Sequence, residues 1–289
     1  MRKYFDPQIL ARLQKLEFKA RLVVEGHMSG MHKSPYKGFN VEFAEHKSYF
    51  PGDDIRYIDW KIYAKTGKFF IKQFEEDTNL KCYLVLDTSA SMGFKNKMDY
   101  GAFIAVALGY LMLSQNDSVG LLTFNNKIVN YIPPRNNLGH LQNIVDTLEN
   151  LTPSEATDIH HCLDFLTSKM KRRGLVVLIS DLIGDQTKIL NHLKRLRRMK
   201  HELIVMHLIH PDEINLPYQG TVRFKDMEGI GDFYAIPDRI RKDYKKRLQN
   251  YIDTYQTKCW HDKIDYNRMC TDIPVEDAIG KFFAGRKSF

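Results

Sequence analysis

Residues 82–92 read Cys82-Tyr83-Leu84-Val85-Leu86-Asp87-Thr88-Ser89-Ala90-Ser91-Met92, and this stretch decides the fold. A short apolar run ends abruptly at a carboxylate, and small hydroxyl residues follow at every second position. Such a run is too short for a helix and reads as a buried strand. Farther along, residues 175–179 form a second continuous apolar strand that ends at Asp181. Two buried strands that each deliver an aspartate to the same sheet edge are characteristic of open α/β sheets, whose ligands sit outside the carboxyl ends of the strands.

Working outward from there, residues 98–113 read as a largely buried helix and 119–124 as a strand, with another at 127–132. Helices are expected at 138–151, 159–170 and 187–199, and a strand at 203–209. Residues 221–236 suggest a small β excursion around Gly229 and Gly231. Asp238 is the expected cap of a helix that keeps Ile240, Tyr244, Leu248, Ile252 and Tyr255 on one face. A strand at 263–270 and a helix after Pro274 close the chain. Short strands alternating with helices predict an α/β, Rossmann-like sandwich with a mostly parallel sheet covered on both faces, spanning residues 80–289.

Ahead of it, residues 1–79 read as an appendage lying on the main domain. Asp6-Pro7 signals a helix start, with Leu10, Leu13 and Leu16 as its stripe up to about Ala20. An irregular stretch then leads to a strand at 69–75. Within it, the polar and turn-rich segment from Pro51 to Trp60 carries Asp53, Asp54, Arg56, Asp59 and Trp60. These are expected to bond turn amides, with Trp60 buried, and they double as a candidate surface for a protein partner.

The chain has 289 residues, 43% hydrophobic and 27% charged, an ordinary globular composition that argues against wholesale disorder. The net charge of +8 suits an acidic protein face, an anionic membrane surface or nucleic acid. The N-terminus lacks the apolar core of a signal peptide, and the longest apolar stretch, 101–113, is too short to span a bilayer. Four scattered cysteines with no paired spacing argue against a disulfide framework or zinc ribbon, and they point to a cytoplasmic setting. The basic tract 194–200 contains Arg195, Arg197 and Arg198. No stacking aromatics accompany it, so it reads as a solvated helix face with Leu193, Leu196 and Met199 inward, or as a dock for an acidic protein, ahead of nucleic acid.

A turn spaced Asp-x-Ser-x-Ser can aim Asp87, Ser89 and Ser91 at one point. One carboxylate and two hydroxyls are hard oxygen donors, suited to Mg²⁺, Mn²⁺ or Ca²⁺ rather than zinc. Thr157 would add a hydroxyl and Asp181 a second carboxylate. Two enzymes compete for the same residues. A phosphatase using Asp87 as nucleophile needs a second aspartate where Ser89 stands, and a nucleophile elbow needs glycine where Ser89 stands. His160-His161 and the pair His207 and His210 lack further ligands at metal-binding spacing.

The combination of Asp87-x-Ser89-x-Ser91, a distal Thr157-Asp158 and a strand ending in Asp181 resembles the metal-ion-dependent adhesion site of von Willebrand factor A domains. With 42–45, 49–60 and 86–92 added, the chain resembles one bacterial family, the domain of unknown function 58 group. That group is typically found beside MoxR-type AAA+ ATPases. The resemblance implies a non-enzymatic adaptor in which Asp87, Ser89, Ser91, Thr157 and Asp181 hold Mg²⁺. A partner's acidic residue completes the coordination, and a MoxR-type ATPase is the implied partner. One departure stands out: Glu155-Ala156 precede Thr157 where glycines are usual, which costs the loop backbone freedom.

Overall fold

The computed structural model describes residues 41–50, 55, 58–76, 80–225 and 231–285. The chain folds as two compact units, one of them Gly26–Asn79 and the other containing Leu80–Phe289. The expected helix at 7–20 lies outside the described residues, as do Asp53, Asp54 and Arg56.

In the smaller unit, β1 (Val41–Ser48) and β2 (Phe70–Glu76) form an antiparallel pair with a bulge between Phe43 and Glu45. Between them lies α1 (Trp60–Thr66), where irregular chain was expected. Asp59 explains the helix, because its carboxylate accepts from the amides of Lys61 at 2.9 Å and Ile62 at 3.2 Å, the geometry of an N-cap. Gly67 closes it in the left-handed conformation (φ 65°). Trp60 is not buried as expected. It is 63% exposed at the first position of α1, edge-on to Tyr63.

The larger unit is built on a six-stranded sheet. Its strands are β3 (Lys81–Asp87), β4 (Ser118–Phe124), β5 (Ile128–Arg135), β6 (Leu175–Ser180), β7 (Glu202–Ile209) and β10 (Asp265–Cys270), in the order β10-β7-β6-β3-β4-β5. All neighbours are parallel except the edge pair β4–β5. A hairpin of β8 (Val222–Lys225) and β9 (Asp232–Ala235) stands apart as its own small sheet. The edge strand β5 ends in Pro133-Pro134, residues without an N–H to offer a further strand.

Alternation along β3 assigns its two faces. Cys82, Leu84 and Leu86 pack under α2 (Lys97–Ser114), α3 (Leu138–Glu149) and α8 (Val275–Gly285). Tyr83 and Val85 pack under α4 (Ile159–Lys169), α5 (Gln186–Arg198) and α7 (Pro237–His261). The result is a doubly wound α/β sandwich on a mostly parallel sheet, as expected from the strand rhythm. Helix α2 lies so close to the sheet that a Cβ at Gly101 would meet side-chain atoms of Leu86, Leu208 and Ile179 at 3.0–3.3 Å. Glycine there spares those three side chains from having to shift.

Two helix details differ from expectation. Met199 is 43% exposed while Leu193 and Leu196 are buried, because Met199 has passed beyond the last turn of α5. Helix α7 is entered from Ile236 with Pro237 at its first turn, and Asp238 pairs with Arg241 rather than capping. No helix among the described residues is long and apolar enough to cross a membrane.

Candidate metal centre

The carboxyl edge of the sheet gathers the residues that the spacing singled out. β3 delivers Asp87 there, fully buried, and the chain turns at once into a single 3-10 turn (Ala90–Gly93). The turn is closed by the Ser89 amide donating to Asp87 Oδ1 at 2.9 Å. That bond brings both serine hydroxyls to one side, with Ser89 Oγ 3.1 Å from Ser91 Oγ. The loop before α4 is stitched onto this turn by two backbone bonds, Ala90 N to Glu155 O at 2.8 Å and Ser154 N to Thr88 O at 3.0 Å. Thr157 Oγ1 consequently sits 3.3 Å from Asp87 Oδ2, to which it donates. Asp158 beside it caps α4 through the His161 amide at 3.0 Å.

The glycine-free prelude is accommodated by strain. Glu155 adopts φ 63°, the left-handed region that a side chain disfavours. Its side chain is exposed rather than turned toward the site.

The neighbouring strand supplies what sequence spacing could not show. Ser180, the residue before Asp181, donates its hydroxyl to Asp87 Oδ2 at 2.7 Å and accepts the Leu182 amide at 2.9 Å. Asp181 itself is met by Lys97 from the first turn of α2, with Nζ 2.7 Å from Oδ2. Lys97 also reaches Glu213 Oε1 at 2.7 Å, and its side chain is only 1% exposed. Glu213 is anchored in turn, since its other oxygen accepts the His210 amide at 2.7 Å in a capping box on the short helix α6 (Pro211–Asn215). The loop after Asp181 is held from the far side by Tyr251 of α7, whose hydroxyl donates to Leu182 O at 2.5 Å, with Leu182 at φ 56°.

The electrostatics follow from burial. Desolvation and the nearby charge of Asp181 push the Asp87 carboxyl up to about 6, against the hydrogen bonds of Ser180 and Ser89 that favour its charged form. Burial works against the Lys97 ammonium, yet Asp181 and Glu213 together outweigh it and hold its pKa above the ordinary lysine value. His207, buried behind Asp181 with Nδ1 2.6 Å from the Tyr266 hydroxyl, is driven down to about 4 by desolvation. It belongs to the core, as spacing suggested.

The oxygen spacing can be compared with what a cation needs. Octahedral Mg²⁺ holds oxygens at about 2.1 Å, which places adjacent ligand oxygens about 3 Å apart. The Ser89–Ser91 and Thr157–Asp87 separations of 3.1 and 3.3 Å match that spacing. No three His, Cys, Asp or Glu side chains converge on a metal position among the described residues. A cation here would therefore take hydroxyls alongside one carboxylate, a hard-donor set for Mg²⁺, Mn²⁺ or Ca²⁺. Asp87, Ser89, Ser91 and Thr157 supply donors of that kind. Asp181 lies at the same edge, but one of its oxygens belongs to Lys97.

The other proposed contact residues fare unevenly. Arg195 pairs with Asp164 at 3.0 Å and Arg197 with Glu202 at 3.1 Å, while Arg197 also donates to the Lys263 carbonyl. Arg198 is exposed and makes no ion pair among the described residues. Asp59 is spent on its helix cap.

The family model described as "Protein of unknown function DUF58" matches residues 45–251. Proteins from Mycobacterium bovis and Mycobacterium tuberculosis, each named an uncharacterized protein, are 29% identical over 251 residues, covering 83% of this chain and 78% of their own. Among solved structures, BatB from Bacteroides thetaiotaomicron is 15% identical with a TM-score of 0.45, covering 73% of this chain and 100% of its own. The SpRpn10 VWA domain is 11% identical with a TM-score of 0.42, covering 70% and 94%.

Proposed function

The chain belongs to the DUF58 family, and we propose that it works as a non-enzymatic adaptor, docking an acidic residue of a protein partner at a divalent cation. Asp87, Ser89, Ser91 and Thr157 would hold that cation, which would supply the positive charge that a partner carboxylate needs in order to be buried here. The partner we propose is a MoxR-type AAA+ ATPase, with this chain serving as its adaptor in remodelling or maturing a target complex.

The observation that carries this reading is the set of oxygens around Asp87. A buried carboxylate, pushed up by desolvation, accepts from the Thr157 and Ser180 hydroxyls, lies one turn from a pair of serine hydroxyls 3.1 Å apart, and pairs with no ammonium among the described residues. Such a carboxylate is costly in the isolated protein, and a bound cation relieves that cost. The local sequence speaks against a phosphatase using Asp87. A phosphatase of that kind needs a second carboxylate two residues after the nucleophile, and Ser89 stands there. Docking through the basic helix alone is disfavoured because Arg195 and Arg197 are engaged within the chain.

The test is affinity capture from the source cells with tagged native chain and Asp87→Ala, each with Mg²⁺ or with chelator. An AAA+ ATPase should come down with the native chain in Mg²⁺ and be lost in the other three conditions. Capture of the same partners in all four would end the metal-docking reading.

A further inference from the structure

Lys97 is the feature that the proposed docking role leaves unused. It is a lysine with its side chain 1% exposed, set at the site's edge and bonded at 2.7 Å to two carboxylates that come from different segments, Asp181 and Glu213. A lysine on the first turn of a helix ordinarily extends into water. Burying one there costs free energy unless its partners are fixed. Here both are fixed. Asp181 sits at the end of β6, with its Oδ1 facing the Ile183 amide at 3.4 Å, and Glu213 is locked by its capping box.

Resting on the metal reading above, we propose that Lys97 is a built-in counter-cation that withholds Asp181 from the metal and sets the site's affinity low. The cation position thus has one charged ligand, Asp87, where the residues at the sheet edge offer two. An ammonium fixed beside Asp181 opposes a divalent ion in two ways: it occupies a ligand oxygen and adds a like charge nearby. Glu213 stabilises that arrangement, because it keeps the ammonium in place even as the field around Asp181 changes. A site tuned this way holds its ion firmly only when another carboxylate arrives, which is the partner's. Occupancy and docking become one event.

The experiment measures Mn²⁺ binding to the full chain by electron paramagnetic resonance of the free ion, without any partner. It compares the native chain with Lys97→Met, Lys97→Arg, the charge-balanced double variant Lys97→Met/Asp181→Asn, and Lys95→Met as a control on an exposed lysine. The proposal expects Lys97→Met to bind roughly tenfold more tightly or better. The arginine variant, the double variant and the Lys95 variant should stay within about threefold of native. The double variant removes both halves of the ion pair, so it remains informative if Lys97→Met alone does not fold. Loss of about tenfold or more in the double variant, with no gain in Lys97→Met, would show that Asp181 ligates in the native chain and would overturn the proposal while leaving the metal reading intact. Absence of Mn²⁺ binding in every variant would overturn both.

Discussion

Asp87→Asn should make the metal-free protein more stable, an unusual outcome for a substitution at the centre of a site. Asp87 is fully buried, and its carboxyl is raised from 3.8 to about 6. Because the folded-state value lies above the unfolded one, the folded protein holds this proton more tightly. The resulting stability is complete below pH 3.8 and is lost as pH rises through 6. At about 1.4 kcal/mol per pH unit, the charged group costs the native state about 3 kcal/mol at pH 7. An asparagine amide of the same shape removes that cost. Its oxygen can keep the Ser89 amide, and its NH₂ can donate to Ser180 and Thr157, whose hydroxyls are able to accept. Re-pairing is imperfect, so a net gain of about 1–2 kcal/mol is expected. In a domain of this size that raises the melting temperature by a few degrees. Urea and thermal unfolding in chelator at pH 7.5 and pH 5 would read it, and the gain should shrink at the lower pH as the native carboxyl protonates. Asp87→Asn less stable than native at both values would refute the account of Asp87 as an uncompensated buried charge.

Glu155→Gly should stabilise the chain by up to about 1 kcal/mol, since Glu155 sits at φ 63° with its side chain in solvent. A fall in the urea midpoint would contradict the strain argument. His207 acts in the opposite sense to Asp87: its folded-state value of about 4 lies below the ordinary 6.5, so its contribution is present above pH 6.5 and lost as pH falls through 4. His207→Gln should therefore flatten the acid limb of stability by about 3 kcal/mol relative to native, read as the difference between the two proteins because Asp87 pulls the other way.

The fold was legible because its signals are local. Apolar runs such as 83–86 and 175–179 bounded by turn chemistry announce parallel strands, and two of them ending in aspartate locate the sheet edge that carries the site. Asp87, Ser89 and Ser91 share one turn, so their convergence needs only local geometry. Ser180, Lys97 and Glu213 were out of reach because their roles are tertiary. Lys97 has the sequence signature of a solvated first-turn lysine, and its burial comes from Asp181 and Glu213, which are distant in sequence. Ser180 could have been suspected from its place beside Asp181 at a strand end. The reverse error befell Trp60, where aromatic bulk suggested burial but the side chain stands exposed at the start of the helix capped by Asp59. The short helix α6 also escaped notice, its start being set by a histidine–glutamate capping box rather than by an apolar stripe.

The proline pair at the end of β5 has a consequence for how this protein can be gripped. An exposed sheet edge invites a peptide to add itself as another strand, trading backbone hydrogen bonds for affinity with little regard to sequence. Pro133 and Pro134 are adjacent, so one of them faces outward and leaves a gap in the row of donors that such a strand would need near the end of β5. A strand added there would lose its register at that gap, so a partner gripping that end of the flank gains more from side chains than from backbone.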